Sequence, residues 1–371
     1  GGVEGEYLDI VNWLQDKLPC KLGEHAGDAA VALDGEYLFV KRHTHPRILE
    51  AAQWRTVAVE RVVVVPRNGY VNRLQAWASS AALAAEGDAP LSVCWESESI
   101  APATVGDLFE SRSLHQWVSS EEVEELCGVR HQELPRYLTH IPERSLVVLA
   151  GHDRGEQVFV PELLELVDTA AQLVRVVIIA GGAFGTADEE RQCRYRHEFY
   201  RRLPWKQSIA ERVKSVIGGR ADFLGLHIRQ TDRSRQAPTR RQVVQAMQRL
   251  TEVCGLSSVF VAADTSAALV AWQQTLGAMG MQAWTAGTSD HARDSVDAGI
   301  AALIEWQVLG WSQGVVFSAA SSFGAEAAVA AGDVPALGLT AKPSLQRARA
   351  AREWLRTGAT YPLRHGPFAR P

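Results

Sequence analysis

Hydrophobic and polar positions along the chain fall into two regular series, preceded by a stretch that is far less regular. The first series opens at Val62-Val63-Val64-Val65, four β-branched residues in a row. Such a run predicts a strand buried on both faces. Pro66-Arg67-Asn68-Gly69 then reads as a turn, and Asn72 to Ala85, rich in Ala and Leu, as a helix ended at Gly87. Leu91-Ser92-Val93-Cys94-Trp95 predicts the next strand, which completes a βαβ unit. Ser145 to Ala150 and Val174 to Ala180 predict two more strands in the same half, and Asp188 to Ile217 a helical stretch.

Gly218-Gly219 breaks the chain before the second series. Its predicted strands are Phe223 to Ile228, Ser258 to Ala263, Met281 to Thr285, Gly314 to Ser318 and Ala336 to Leu339. Its predicted helices are Arg240 to Cys254, Ser266 to Gly277, Asp294 to Leu309 and Ala325 to Ala331. Strands alternating with helices at this spacing imply α/β architecture with parallel, doubly wound sheets. Two such halves, joined near residue 205, would face each other across a cleft. Ahead of them, residues 1–60 offer only an amphipathic helix over Tyr7 to Leu18 and a strand over Glu36 to Lys41.

Composition narrows the function classes. With 46% hydrophobic and 22% charged residues over 371 positions, the chain has the make-up of a globular protein with sizeable cores. A formal net charge of −5 gives no electrostatic case for nucleic acid or an anionic membrane as partner. No apolar run approaches the length of a membrane span, and Gly-Gly-Val-Glu-Gly-Glu at the start lacks the features of a signal peptide. Cys20, Cys94, Cys127, Cys193 and Cys254 are odd in number and without a C-x-x-C pair, so free thiols in a reduced, cytoplasmic compartment are expected. Oligomeric state is not legible in the chain.

In open α/β sheets, ligands sit outside the carboxyl ends of the strands, so the chemistry is sought there. Phe223-Leu224-Gly225-Leu226-His227-Ile228-Arg229-Gln230-Thr231-Asp232-Arg233-Ser234 runs from an apolar strand into imidazole, guanidinium, carboxylate and hydroxyl groups. Arg229 at the strand exit suits a diphosphate, whose charge grows as a sugar departs. The alternative is a surface loop whose Arg and Asp pair with each other. In Val315-Val316-Phe317-Ser318-Ala319-Ala320-Ser321-Ser322-Phe323-Gly324-Ala325-Glu326, a strand leads into serines and then a small-residue helix. Its first turn favours phosphate, or Ser321 and Ser322 serve only as helix caps. Asp264 ends a third strand and is either a ligand-side acid or, like Thr265, an N-cap. Glu305, on the helix before the serine strand, either accepts from a guanine or lies on a solvated face.

In order and spacing, these pieces resemble the fucosyltransferase superfamily that includes the rhizobial nodulation fucosyltransferases, the core fucosyltransferases and the protein O-fucosyltransferases. H-I-R-Q-T-D-R is the most specific of them. Glu198-Phe199-Tyr200-Arg201-Arg202-Leu203-Pro204 and Ile209-Ala210-Glu211-Arg212-Val213 resemble the family's helical lead-in, and Asn72-Arg73-Leu74-Gln75-Ala76 its G-N-R-L motif. The likeness spans roughly residues 62–340.

The resemblance implies a GT-B-like fold of two Rossmann-like domains and inverting transfer of fucose from GDP-fucose to a small-molecule or oligosaccharide hydroxyl. It implies no metal and no other cofactor. The division it suggests is 1–60, of unassigned fold; 61–204, acceptor side; 205–345, nucleotide sugar; and 346–371, a C-terminal helix and tail. Carried over, Arg229 would hold the β-phosphate, with Asp232 and Arg233 near sugar and acceptor. His227 and Glu305 would contact guanine, with Asp264 and Phe323 beside the donor and Ser321 and Ser322 on phosphate oxygens. Asn72 and Arg73 would reach across from the N-terminal half. Three residues depart from the family pattern: Gln230 replaces a second arginine, Val71 a glycine and Glu305 an aspartate. No glutamate shortly after Arg233 offers itself as general base. The alternatives are the same fold with another nucleotide sugar, or a catalytically silent nucleotide- or sugar-binding module.

Three other motifs lead elsewhere. Ala180-Gly181-Gly182-Ala183-Phe184-Gly185 does not match a dinucleotide loop. The basic, aromatic stretch Arg191 to Lys206 reads as a solvated helix face. Of the 11 tryptophans most should be core, with Trp95 the candidate to stack on a sugar.

Overall fold

The computed structural model describes residues 59–86, 88–110, 114–127, 145–150, 174–183, 189–231, 236–287 and 295–341. The helix and strand expected within residues 1–60, the tail from 346, and Asp232 and Arg233 lie outside these.

The first half is built on β1 (Val59–Pro66), α1 (Tyr70–Glu86), β2 (Leu91–Val93), α2 (Val105–Leu108), β3 (Gln116–Trp117), α3 (Ser120–Cys127), β4 (Ser145–Ala150) and β5 (Val174–Ala180). Its sheet has the order β3-β2-β1-β5-β4, and every pairing is parallel. β1 is central, and Val62 to Val65 are at most 1% exposed, as the unbroken β-branched run predicts. The turn after it needs Asn68 at φ 68°, a left-handed conformation that asparagine tolerates. Short β3 and α2 carry no periodic pattern and were not legible beforehand.

The expected helical stretch from 188 to 217 is two helices, α4 (Glu189–Arg201) and α5 (Gln207–Ile217). Pro204 accounts for the break: it lacks an N–H and biases Leu203 away from helix. The backbone there is tied to the first half through Glu110 N to Pro204 O at 2.8 Å and Lys206 N to Leu108 O at 2.9 Å. Gly218 and Gly219, at φ 59° and 76°, close α5 in the left-handed region.

The second half runs β6 (Leu224–Ile228), α6 (Arg240–Cys254), β7 (Ser258–Ala263), α7 (Ser266–Ala278), β8 (Gln282–Trp284), α8 (Val296–Leu309), β9 (Val315–Ser318), α9 (Ser322–Ala331) and β10 (Ala336–Leu339). Its parallel sheet has the order β10-β9-β6-β7-β8. Leu224, Leu226 and Ile228 pack on one face with Val243, Met247 and Leu250 of α6 and Leu269 and Trp272 of α7. The other face belongs to a core that continues into the first half, from Val62, Leu74 and Trp77 through Phe199 and Tyr200 to Phe260, Trp306 and Val329.

Two features fix that continuity. α8 is buried on nearly all sides, as a helix apolar all round should be. At Gly299 a Cβ would meet the ring of Tyr70 at 2.4 Å, so only glycine lets α8 approach α1 this closely. Among the described residues, no helix is long and apolar enough to cross a membrane.

Candidate functional site

In the second sheet the chain moves outward from β6 through β7 to β8, then returns to the other side of β6 for β9 and β10. The switch point lies between β6 and β9, where a doubly wound sheet opens a crevice at its carboxyl end. His227 and Arg229 come from one side of that crevice. Ser318, Ser321, Ser322 and Phe323 come from the other.

Backbone and side chains knit these two strand ends together. The Arg229 N–H donates to Ser318 Oγ at 3.0 Å. Asp264, at the end of β7, accepts through Oδ2 from Gln230 N (2.9 Å), Thr231 N (2.8 Å) and Thr231 Oγ1 (2.7 Å). It therefore holds the loop that carries Arg229. Burial alone would raise its pKa, but the donors from Thr231 and Gln230 outweigh that and hold the carboxylate below its ordinary range. The helix cap next door is Thr265, whose hydroxyl accepts from Ala268 N at 3.1 Å. Asp264 is thus a positioning acid rather than a cap.

His227 is 5% exposed and stacks on Phe323 with ring centroids 5.0 Å apart. Gly324 is fitted to it, since a Cβ there would lie 2.5 Å from His227 Nδ1. Burial, assisted by the Arg229 charge, pushes the imidazole down to about 3 against the pull of Asp264. It is neutral near pH 7, with one nitrogen a donor and the other an acceptor. Its Nδ1 is buried without a hydrogen-bond partner.

Ser321 is the N-cap residue of α9 by geometry, yet its hydroxyl makes no cap bond. Ser321 is 1% exposed, and Oγ too is buried and unpartnered. Buried hydroxyls ordinarily have a partner. An N-cap serine that leaves its oxygen unused at a helix N-terminus offers an anion a hydroxyl donor beside the helix's own N–H groups. Ser322, half-buried, begins the helix itself.

The remaining candidates, Glu305, Asn72 and Arg73, sit on helices. Glu305 is buried, 6% exposed, as the tenth residue of α8, not on a solvated face. That is about 14 Å along the axis from the helix start. Asn72 is half-buried near the start of α1. Arg73 does not reach across from the first half. It is 0% exposed, with Nε on Asn68 O at 2.8 Å, Nη1 on Glu96 O and Nη2 3.3 Å from Glu98. Trp95 is likewise structural: its Nε1 donates to Ala103 O, and its ring meets Trp77, Phe109 and the Arg73 guanidinium.

The reading of 191–206 as a solvated face is overturned for one side of α4. Cys193, Arg196, Phe199 and Tyr200 are buried, while Arg194, Glu198 and Arg201 face water. Sequence reasoning also missed Glu326, which is 0% exposed and is bonded by Arg196 Nε (2.7 Å), Tyr200 Oη (2.6 Å) and Gln75 Nε2 (2.7 Å). An acid in an otherwise apolar helix was the available signal.

No family model and no curated protein sequence matches the chain. Among solved structures, it is similar to the selenomethionine form of fucosyltransferase NodZ from Bradyrhizobium, at 17% identity and a TM-score of 0.50, over 75% of this chain and 94% of that one. The fold is fucosyltransferase-like. NodZ α-1,6-fucosyltransferase soaked with GDP-fucose is similar at 17% identity and TM-score 0.49, over 78% of this chain and 96% of that one. POFUT1 in complex with GDP-fucose is similar at 14% identity and TM-score 0.46, over 76% and 98%. Among the described residues, no group of three or more His, Cys, Asp or Glu is placed to hold a metal ion.

Proposed function

We propose that the chain is an inverting, metal-independent glycosyltransferase that moves fucose from GDP-fucose to a hydroxyl of a small-molecule or oligosaccharide acceptor. The observation that carries this reading is the unused Ser321 hydroxyl at the start of α9, opposite Arg229 across the β6–β9 switch point. Such a site offers hydroxyl and amide donors, the positive end of a helix and a guanidinium to a diphosphate. As the bond from the anomeric carbon to the diphosphate breaks, negative charge accumulates on the leaving oxygens. Donors fixed in advance lower that barrier without reorganising.

Neutral His227 stacked on Phe323 supplies an unpartnered ring nitrogen on the same side. It suits a base edge that needs one donor or acceptor. The fucosyl assignment is supported by the H-I-R-Q-T-D-R stretch and by the fucosyltransferase fold. Cys94 and Cys193, both buried and neither in a disulfide, accord with a cytoplasmic setting. Asp232 and Arg233 are assigned to the sugar and acceptor by the resemblance alone.

The test is turnover. Purified protein is incubated with GDP-fucose or GDP-mannose, with and without a chelator, and free GDP is followed. Release from GDP-fucose that the chelator leaves intact supports the assignment. Release only with another donor reassigns the sugar. Release that needs added metal overturns the metal-independent part.

A further inference from the structure

The polar cluster around Glu326 lies outside the strand-end crevice and takes no part in the donor chemistry above. Its three donors come from two other helices. Gln75 is on α1 of the first half, Arg196 and Tyr200 are on α4, and Glu326 is on α9, one turn after Ser322. Exposures run from 0% at Gln75 and Glu326 to 6% at Arg196 and Tyr200, so the cluster is buried throughout.

The helix between the halves is apportioned to suit. Along α4, Phe199 turns to the first half and meets Trp77 with centroids 5.2 Å apart, while Tyr200 meets Trp306 of α8 at 5.1 Å. One turn back, His197 Nδ1 contacts Ala330 O at 2.9 Å at the far end of α9. Residues 196, 197 and 200 thus follow helical spacing along one side of α9.

A buried carboxylate shared by a guanidinium, a phenol and an amide is a poor choice if cohesion is the only need. Well-packed apolar residues are often as stable as a buried ion pair, and an ion pair is far more directional. The direction fixed here is that of α9, whose first turn carries Ser321, Ser322, Phe323 and the Gly324 that fits against His227. We infer that Glu326 is a positioning residue. Held from α1 and α4, it sets the first turn of α9 against the β6 strand end and so couples the geometry of the donor site to the N-terminal half. This rests on the donor-site reading for its functional consequence, but not for its structural one.

Two readouts separate the two. The first is amide hydrogen exchange, without nucleotide, in Gln75→Leu and Tyr200→Phe, each of which removes one arm and leaves the charges in place. Exchange over residues 321–325 should rise at least several-fold in both, with far smaller change in β7 and α7. The second is GDP affinity by calorimetry at a temperature where near-ultraviolet circular dichroism shows each variant folded. It should fall about fivefold or more in Gln75→Leu, although Gln75 belongs to the other half. Melting temperatures that drop while exchange at 321–325 and GDP affinity stay within twofold of the parent would make Glu326 merely cohesive and overturn the inference. Wild-type protein that ignores GDP, with variants that still loosen 321–325, would sink the donor reading and leave the positioning intact.

Discussion

The two sheets end in arginines at their carboxyl edges, and they use them in opposite ways. At the end of β1 and β2, Arg67 lies 3.1 Å from Glu96 and 2.7 Å from Glu98, Arg73 is bound to Asn68, Glu96 and Glu98, and Ser120 donates to Glu96 at 2.6 Å. Every charge of the cluster meets an opposite charge within it, Arg73 Nη2 and Glu98 Oε1 through ion pairs alone, without a hydrogen bond. At the end of β6 and β9, Ser321 Oγ, His227 Nδ1 and Asp264 Oδ1 are buried and unused beside Arg229. The first arrangement is a structural keystone and the second is a site awaiting hydrogen bonds. Both leave buried polar atoms without a hydrogen bond; what separates them is that those of the first cluster face an opposite charge, whereas Ser321 Oγ and His227 Nδ1 are uncharged groups with nothing opposite them.

The comparison breaks most sharply at Arg229. Arg229→Ala should weaken GDP binding on the order of 100-fold or more, since losing one side of a desolvated charged pair costs about 2–5 kcal/mol. Its melting temperature should fall less than that of a variant of the buried, ion-paired Arg73. Arg73→Met should do the reverse, lowering unfolding free energy by about 3 kcal/mol by stranding a carboxylate. GDP affinity of the folded fraction should hold within twofold. Denaturant titration and calorimetry on the same samples read both.

Ser321→Ala is a finer probe. Because the hydroxyl makes no cap bond, its loss should leave thermal stability unchanged, whereas an ordinary N-cap deletion costs about 1 kcal/mol. GDP affinity should nevertheless fall about tenfold, the worth of a hydrogen bond to a charged group.

The smallest effect is on acid stability, and each half holds one group that produces it. Burial lowers His227 to about 3 and His115, whose Nδ1 accepts from Trp77 Nε1, to about 4. Both are neutral when folded, while the unfolded chain takes up protons below about 6.5. Between 6.5 and the folded values the unfolded state binds more protons, so stability is full above that window and declines as pH falls through it. Melting temperature should therefore drop from pH 7 to pH 5, and His115→Gln should flatten part of that slope.

Much of this fold was legible because its strands are short apolar runs bounded by breakers. β4, β5, β7, β10 and α6 fall at the residues read from the pattern. The His227–Arg229 and Ser321–Phe323 stretches were legible because a polar cluster directly after an apolar strand violates the local pattern. Arg73 and Trp95 were misread because a sequence shows a charge or a ring without the carbonyl that will absorb it. Glu326 stands out as an acid in an apolar helix, but its role was not legible, since its partners lie 126, 130 and 251 positions away. A network closed over that range leaves no trace in local periodicity. Arg196 and Tyr200 sit among so many arginines that α4 reads as a solvated helix until the face that packs is known.

The most direct measurement is calorimetric titration of the wild-type protein and Ser321→Ala with GDP, UDP and dTDP in parallel. The account predicts that wild type binds GDP in preference to the others, and that Ser321→Ala binds it more weakly at unchanged melting temperature. Wild-type protein that binds none of the three at concentrations able to detect millimolar affinity would contradict it.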